Sequence, residues 1–274
     1  MKVDVIWPKY RVIEPECDWS VQSMLDYSAS QGVDLHVPRI KGHTLIHRVR
    51  NGALNRVRPD TDYVLWCDDD MVPQKDSLLR LLEHKEDIVS AVCTTRDDWP
   101  VKIVAKAWRR DTDQFVIIPD EEWEKLLGKV MKGPFGVGFG FVLTSRKVID
   151  DAIEWHLSAR DWLALNRRML DRLKVRKEYR EAERKRISSE RRNWYEQKHL
   201  LRVFDLTIQE NELERGEDIH FSRMALEMGY HITLDTNVWV FHMGKLPYGP
   251  QLCGIKHWSE LRMKHDDGAN RVTG

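Results

Sequence analysis

The stretch Tyr63-Val64-Leu65-Trp66-Cys67 runs without a charged side chain and stops abruptly at Asp68-Asp69-Asp70. A short, continuous apolar run bounded by turn-type residues is the pattern of a strand buried on both faces, as in a sheet covered by helices. Upstream of it, Leu45–Val57 repeats apolar residues at helical spacing (Leu45, Val49, Leu54, Val57) and stops before Pro59. Downstream, Ser77–Leu82 reads as a helix and Asp87–Cys93 as the next strand. Farther out, Val3–Trp7 and Val33–Val37 read as strands separated by a helix over Trp19–Ser30. This alternation predicts an α/β fold with a mainly parallel central sheet flanked by helices.

The second half departs from that rhythm. Val101–Ala107 and Gln114–Ile118 read as strands of a smaller antiparallel part, followed by a short helix over Asp120–Leu127. The glycine series Gly133, Gly136, Gly138, Gly140 leads into an apolar run, Phe141–Leu143, with a helix expected from about Ser145. Gly216-Glu217-Asp218 opens a helical pattern that ends near Gly229, and Tyr230–Leu234 and Val238–Phe241 read as two more strands. Between them, Ser158–Arg202 holds 15 Lys or Arg against 7 Asp or Glu. Trp155–Leu201 lacks both Gly and Pro, so this basic segment reads as a helical insertion or lid. The expected organisation is a central sheet region over 1–154, the insertion over 155–215, a closing region over 216–250, and a tail over 251–274.

The 274 residues carry 44 basic and 44 acidic side chains, so the local excess is hidden in a neutral total. A hydrophobic fraction of 42% with 11 tryptophans excludes a disordered chain. No stretch approaches the roughly 20 apolar residues of a membrane span, and the apolar run at the start is too short for a signal peptide. An intracellular, cytoplasmic protein is expected, in the host cytoplasm if it is viral. Four scattered cysteines without Cys-x-x-Cys spacing suggest neither a disulfide scaffold nor a cysteine zinc site.

Ligands of open α/β sheets bind beyond the carboxyl ends of the strands, where the Asp triplet stands. Three adjacent carboxylates repel one another, and a divalent cation relieves that repulsion. Residues two apart in extended chain project to one side, so Asp68 and Asp70 can converge while Asp69 turns toward a ribose or a structural donor. Oxygen ligands suit Mg²⁺ or Mn²⁺. His242 follows the last apolar run in the same way and would add an imidazole, favouring Mn²⁺. Glu217 and Asp218, in the first turn of a helix, suit its dipole; Asp218 is also a candidate general base, with Glu217 orienting it or holding the acceptor. The competing readings are a solvated acidic turn, a surface histidine and a helix cap. The glycine series lacks the Lys and Ser or Thr of a phosphate-binding P-loop, which leaves close backbone approach to a sugar or acceptor at Gly138, Phe139 and Gly140, or a tight turn.

In order along the chain, these segments resemble the GT-A glycosyltransferases, especially the broad family-2-like group. Pro8-Lys9-Tyr10-Arg11 resembles the entry to the nucleotide pocket, Arg50-Asn51 the Arg-Asn pair before the central strand, and Asp68–Asp70 the Asp-x-Asp (DxD) metal motif. Gly133–Phe141 resembles the acceptor-side glycine segment, Gly216–Asp218 the Glu-Asp catalytic segment, and Phe241–Gly244 the terminal metal-binding His segment. The resemblance implies transfer of a sugar from a nucleoside diphosphate sugar, a UDP-sugar above all, to an acceptor hydroxyl. Tyr10, Arg11, Arg50, Asn51, Asp68 and Asp69 would hold the nucleotide. Asp68, Asp70 and His242 would hold Mn²⁺ or Mg²⁺, and Asp218 as base implies inversion; the terminal His also resembles retaining members.

The basic segment suggests a polyanionic acceptor or surface. Arg176 and Arg184 would track phosphates and Trp194 would stack on bases, so modified DNA is one acceptor, beside acidic carbohydrate, protein and anionic lipid surfaces. Two other classes compete: a sugar-phosphate nucleotidyltransferase, and a non-catalytic nucleic-acid-binding protein. The sequence does not specify an oligomeric state.

Overall fold

A computed structural model describes residues 1–9, 14–40, 46–95, 102–109, 111–112, 114–157, 203–204, 207–208, 214–243 and 247–248. The basic segment from Ser158 to Arg202, the tail from 251 on, and Tyr10, Arg11, Arg176, Arg184, Trp194 and Gly244 lie outside the described residues.

The first half alternates as its periodicity requires. The elements are β1 (Lys2–Ile6), α1 (Pro15–Ser30), β2 (Asp34–His36), α2 (Ile46–Leu54), β3 (Tyr63–Cys67), β4 (Met71–Pro73), α3 (Ser77–Glu83) and β5 (Ile88–Val92). Then come β6 (Ala105–Arg109), β7 (Gln114–Ile117), α4 (Asp120–Leu126), β8 (Val130–Gly133), β9 (Phe135–Val137), β10 (Phe141–Ser145) and α5 (Arg146–Leu157). The chain closes with β11 (Thr207–Ile208), β12 (Glu214–Arg215), α6 (Glu217–Glu227), β13 (Ile232–Met243) and β14 (Pro247–Tyr248).

The central sheet has the order β14-β13-β5-β10-β3-β1-β2, with β4 and β8 attached to β13. Strands β1, β2, β3, β5 and the first part of β13 run one way; β10, between β3 and β5, runs against them. The fold is therefore mixed α/β with a mostly parallel core, and β7-β6-β9 form the separate small antiparallel sheet. Side chains alternate across β3: Val64 and Trp66 enter one core cluster, Leu65 and Cys67 the other. Both faces are thus covered, which is why the run reads as uniformly apolar. All four side chains are buried, and truncating Leu65 to Ala should cost about 2–5 kcal/mol.

Four strands depart from the sequence reading. The segment after the acidic triplet forms β4, and Val130–Gly133 and Phe135–Val137, which take in the first part of the glycine series, form β8 and β9. The two strands read at 230–234 and 238–241 are one, β13, interrupted by a register shift between Asp235 and Trp239. Asp235 holds that irregularity: its carboxylate accepts hydrogen bonds from the Asn237 backbone (2.8 Å) and side chain, and meets His84 at 2.7 Å. No helix among the described residues is long and apolar enough to cross a membrane. Cys17, Cys67 and Cys93 are buried, unpaired thiols.

Candidate active site

A cleft of about 500 Å³ opens at the carboxyl edge of the parallel strands, lined by Pro8 after β1, Asp68–Met71 after β3, Thr94 after β5 and His242 in β13. Its other walls are Arg50 of α2, the Gly138-Phe139-Gly140 segment, and Glu217 and Asp218 of α6. The structure thus brings together every described residue expected at the site except Asn51.

The pairing of β4 with β13 sets the position of Asp70. His242 lies opposite Met71 in that antiparallel ladder, and the Met243 N–H donates to the Asp70 carbonyl at 2.7 Å. Asp70 Oδ2 therefore stands 2.9 Å from His242 Nε2. The opposite ring nitrogen, Nδ1, is 2.8 Å from the Thr94 carbonyl oxygen. A carbonyl only accepts, so Nδ1 carries a hydrogen and Nε2 is the ring atom turned toward Asp70. Two acceptors at that distance need a proton or a cation to join them. Adjacent ligands each about 2.1 Å from an octahedral ion stand about 3 Å apart, so this pair fits one edge of a Mn²⁺ or Mg²⁺ shell. Among the described residues no group of three or more His, Cys, Asp and Glu side chains converges as a metal cage. The remaining positions of such an ion would belong to water and phosphate oxygens, an arrangement common for Mg²⁺.

Asp68 faces another way. Its backbone N–H donates to the Gly140 carbonyl at 3.0 Å, tying the triplet to the start of β10. Both its carboxylate oxygens accept from Arg50, at 2.8 and 2.9 Å. Arg50, only 4% exposed in its side chain, also donates to Glu217 Oε1 at 2.6 Å and to the Phe139 carbonyl at 3.3 Å. Burial works against its charge, but Asp68 and Glu217 outweigh that and raise its pKa. Burial lifts the Asp68 carboxyl above the ordinary range despite the opposing pull of Arg50, and Asp70 adds to the rise. Asp69 lines the cleft beside them.

Asn51, the next residue of α2, points its amide to the chain at Phe204. Its Nδ2 donates to the Phe204 carbonyl, and its Oδ1 accepts from the Phe204 N–H at 3.0 Å. This pins an aromatic group behind the cleft, in which Phe204 and Phe221 stack at 5.0 Å and Phe139 meets both edge-on.

Asp218 stands in the first turn of α6, where Oδ1 accepts from the Ile219 N–H at 2.7 Å. Burial, then the adjacent Glu217 charge, pushes its carboxyl above the usual range. Gly216 makes room for it: a Cβ there would come within 2.7 Å of Asp218 Oδ1. Gly138 approaches from the other wall, where a Cβ would lie 3.7 Å from Asp218 Oδ2. The Arg50 bridge and β4 were not read from sequence; the apolar Met71-Val72-Pro73 after the triplet was the available signal for the strand.

No family model and no curated protein sequence matches this chain. Solved structures to which this chain is similar include A197 from STIV, at 12% identity over 92% of this chain and 91% of that one, with a TM-score of 0.45. Another is the catalytic domain of Drosophila beta1,4-galactosyltransferase 7 in complex with xylobiose, at 17% identity over 55% of this chain and 51% of that one, TM-score 0.32. A third is 4-diphosphocytidyl-2C-methyl-D-erythritol synthase from Anaerococcus prevotii, at 12% identity over 58% and 77%, TM-score 0.37. The chain spans about half the length of the galactosyltransferase domain.

Proposed function

We propose that this protein is a metal-dependent glycosyltransferase that moves a sugar from a nucleoside diphosphate sugar, a UDP-sugar, to an acceptor hydroxyl. The observation that carries the reading is the Asp70–His242 pair, with Nδ1 of the ring committed to Thr94, lining the same cleft as Asp218. A nitrogen beside a carboxylate oxygen favours Mn²⁺ over Mg²⁺. When bound, the ion supplies positive charge to the diphosphate leaving group. Asp70 and His242 hold it, with the Thr94 carbonyl keeping the ring in the ligating tautomer.

Asp218 accepts the proton of the attacking hydroxyl. Its raised pKa makes it a stronger base than an exposed aspartate, and its bond to the Ile219 N–H aims it. A carboxylate base in the same cleft supports direct attack and inversion at the anomeric carbon. Glu217 is committed to Arg50, and the buried guanidinium holds it in register with Asp68. Gly138, Phe139 and Gly140 form the acceptor-side wall. The basic segment over 158–202, with Arg176, Arg184 and Trp194, suits a polyanionic acceptor such as modified DNA.

The test incubates the full chain with Mn²⁺, a panel of nucleotide sugars and candidate acceptors, and identifies products by mass. A sugar-sized mass increment on an acceptor, abolished by chelation, is expected. Nucleoside triphosphate turnover with pyrophosphate release and no acceptor product would instead identify a sugar-phosphate nucleotidyltransferase.

A further inference from the structure

A second, wider groove of about 1160 Å³ adjoins the active cleft at Val49, which lines both. It runs beside β2, the outermost strand of the sheet, between α1 and α2. Arg39, Arg48 and Arg56 line it and are exposed, together with Lys9, which is paired with Asp18, and one exposed carboxylate, Asp26. Among the described residues none of the three guanidinium groups has an ion-pair or hydrogen-bond partner, whereas those of Arg50, Arg58, Arg80 and Arg146 are all paired. Apolar side chains lie between these cations, Leu35, Ile40 and the 40%-exposed Val37 among them. The same lining includes Trp7, whose buried Nε1–H has no acceptor. Three guanidiniums against the single carboxylate of Asp26, over a largely apolar lining, suit a ligand that is anionic along its length and presents flat apolar groups.

The donor alone does not meet that description. In the function proposed above its diphosphate goes to the cation, and a nucleoside is neutral. We propose that the groove binds a single-stranded nucleic-acid segment, its phosphates on Arg39, Arg48 and Arg56 and its bases over the apolar floor, leading an acceptor strand to the cleft at Val49. Only that last step rests on the transferase reading; binding of the strand does not.

The test measures binding of a labelled oligothymidylate of about 12 nucleotides to the full chain over a salt series. For a single strand, each lost phosphate contact should reduce the slope of log K against log salt by about 0.7. Arg48→Ala and Arg56→Ala are each expected to produce that change and to weaken binding several-fold. Gly52→Glu adds an opposing charge where a Cβ meets nothing within 4 Å, so it should weaken binding while leaving the fold intact. Unchanged slope and affinity in all three variants would overturn the proposal. So would equal affinity for a sulfated polysaccharide with the same loss in the variants, which would make the groove a general polyanion site. Mn²⁺-dependent UDP binding, measured in parallel, should be unaffected; its loss in the arginine variants would reassign the groove to the donor. Absence of UDP binding in the unaltered protein would remove the transferase reading and leave strand binding to stand on its own data.

Discussion

Arg50 and Glu217, 167 residues apart in sequence, meet at 2.6 Å across the floor of the cleft. The same guanidinium holds both oxygens of Asp68, so one buried cation joins α2, the end of β3 and the start of α6. The carboxylates that line the cleft are thereby kept in register before any ligand arrives.

Removing that cation leaves two largely buried carboxylates without a counter-charge. Arg50→Ala should destabilise the protein by about 3–5 kcal/mol, read from the denaturant midpoint. Arg50→Lys keeps the charge but not the fork, so partial recovery is expected. A midpoint unchanged in the Ala variant would show that the bridge contributes nothing.

Asp70→Ala and His242→Ala should each lower Mn²⁺-dependent UDP affinity by more than about 100-fold, since loss of a ligand's outer partner alone costs 10–100-fold. Isothermal titration with and without chelator reads this directly. Affinity that survives in both variants would mean that the pair is an ordinary His–carboxylate contact.

Asp218→Asn should retain UDP binding and lose transfer. Because burial raises the Asp218 pKa, the rate should fall as pH drops through a midpoint above the roughly 3.9 of a free aspartate. The base works when ionised, so activity is present above that midpoint and lost below it. An acid limb at the ordinary value, or a fully active Asn variant, would remove Asp218 from the role.

Gly216→Ala should lower transfer while sparing stability. The new Cβ displaces the Asp218 carboxylate, which can swing, rather than any backbone. Transfer at the unaltered rate would contradict the constraint placed on Asp218.

The Asp triplet stood out in sequence because it breaks an apolar run, and the helical start at Glu217 stood out because a glycine precedes it. The strand β4 did not, since three residues ending in Pro73 are too few to show a period. The strand β13 read as two because Asp235 and Asn237 look like turn residues, although their side chains serve a register shift inside one strand. The Asn51 amide could not be assigned to Phe204, 153 residues away, by any local pattern.

Local periodicity alone determined the α/β layering and put an acidic turn at the end of a doubly buried strand, because apolar spacing records which faces a residue's own element buries. Which of the three acids turns to His242 and which to Arg50 was decided only in three dimensions. Asp70 reaches the imidazole through the β4–β13 ladder, and Asp68 reaches the guanidinium that Arg50 of α2 also extends to Glu217 and to the Phe139 carbonyl. The first choice depends on a contact between residues 172 apart, and the second on an arginine that Glu217, 167 residues away, also holds, which adjacent residues do not encode.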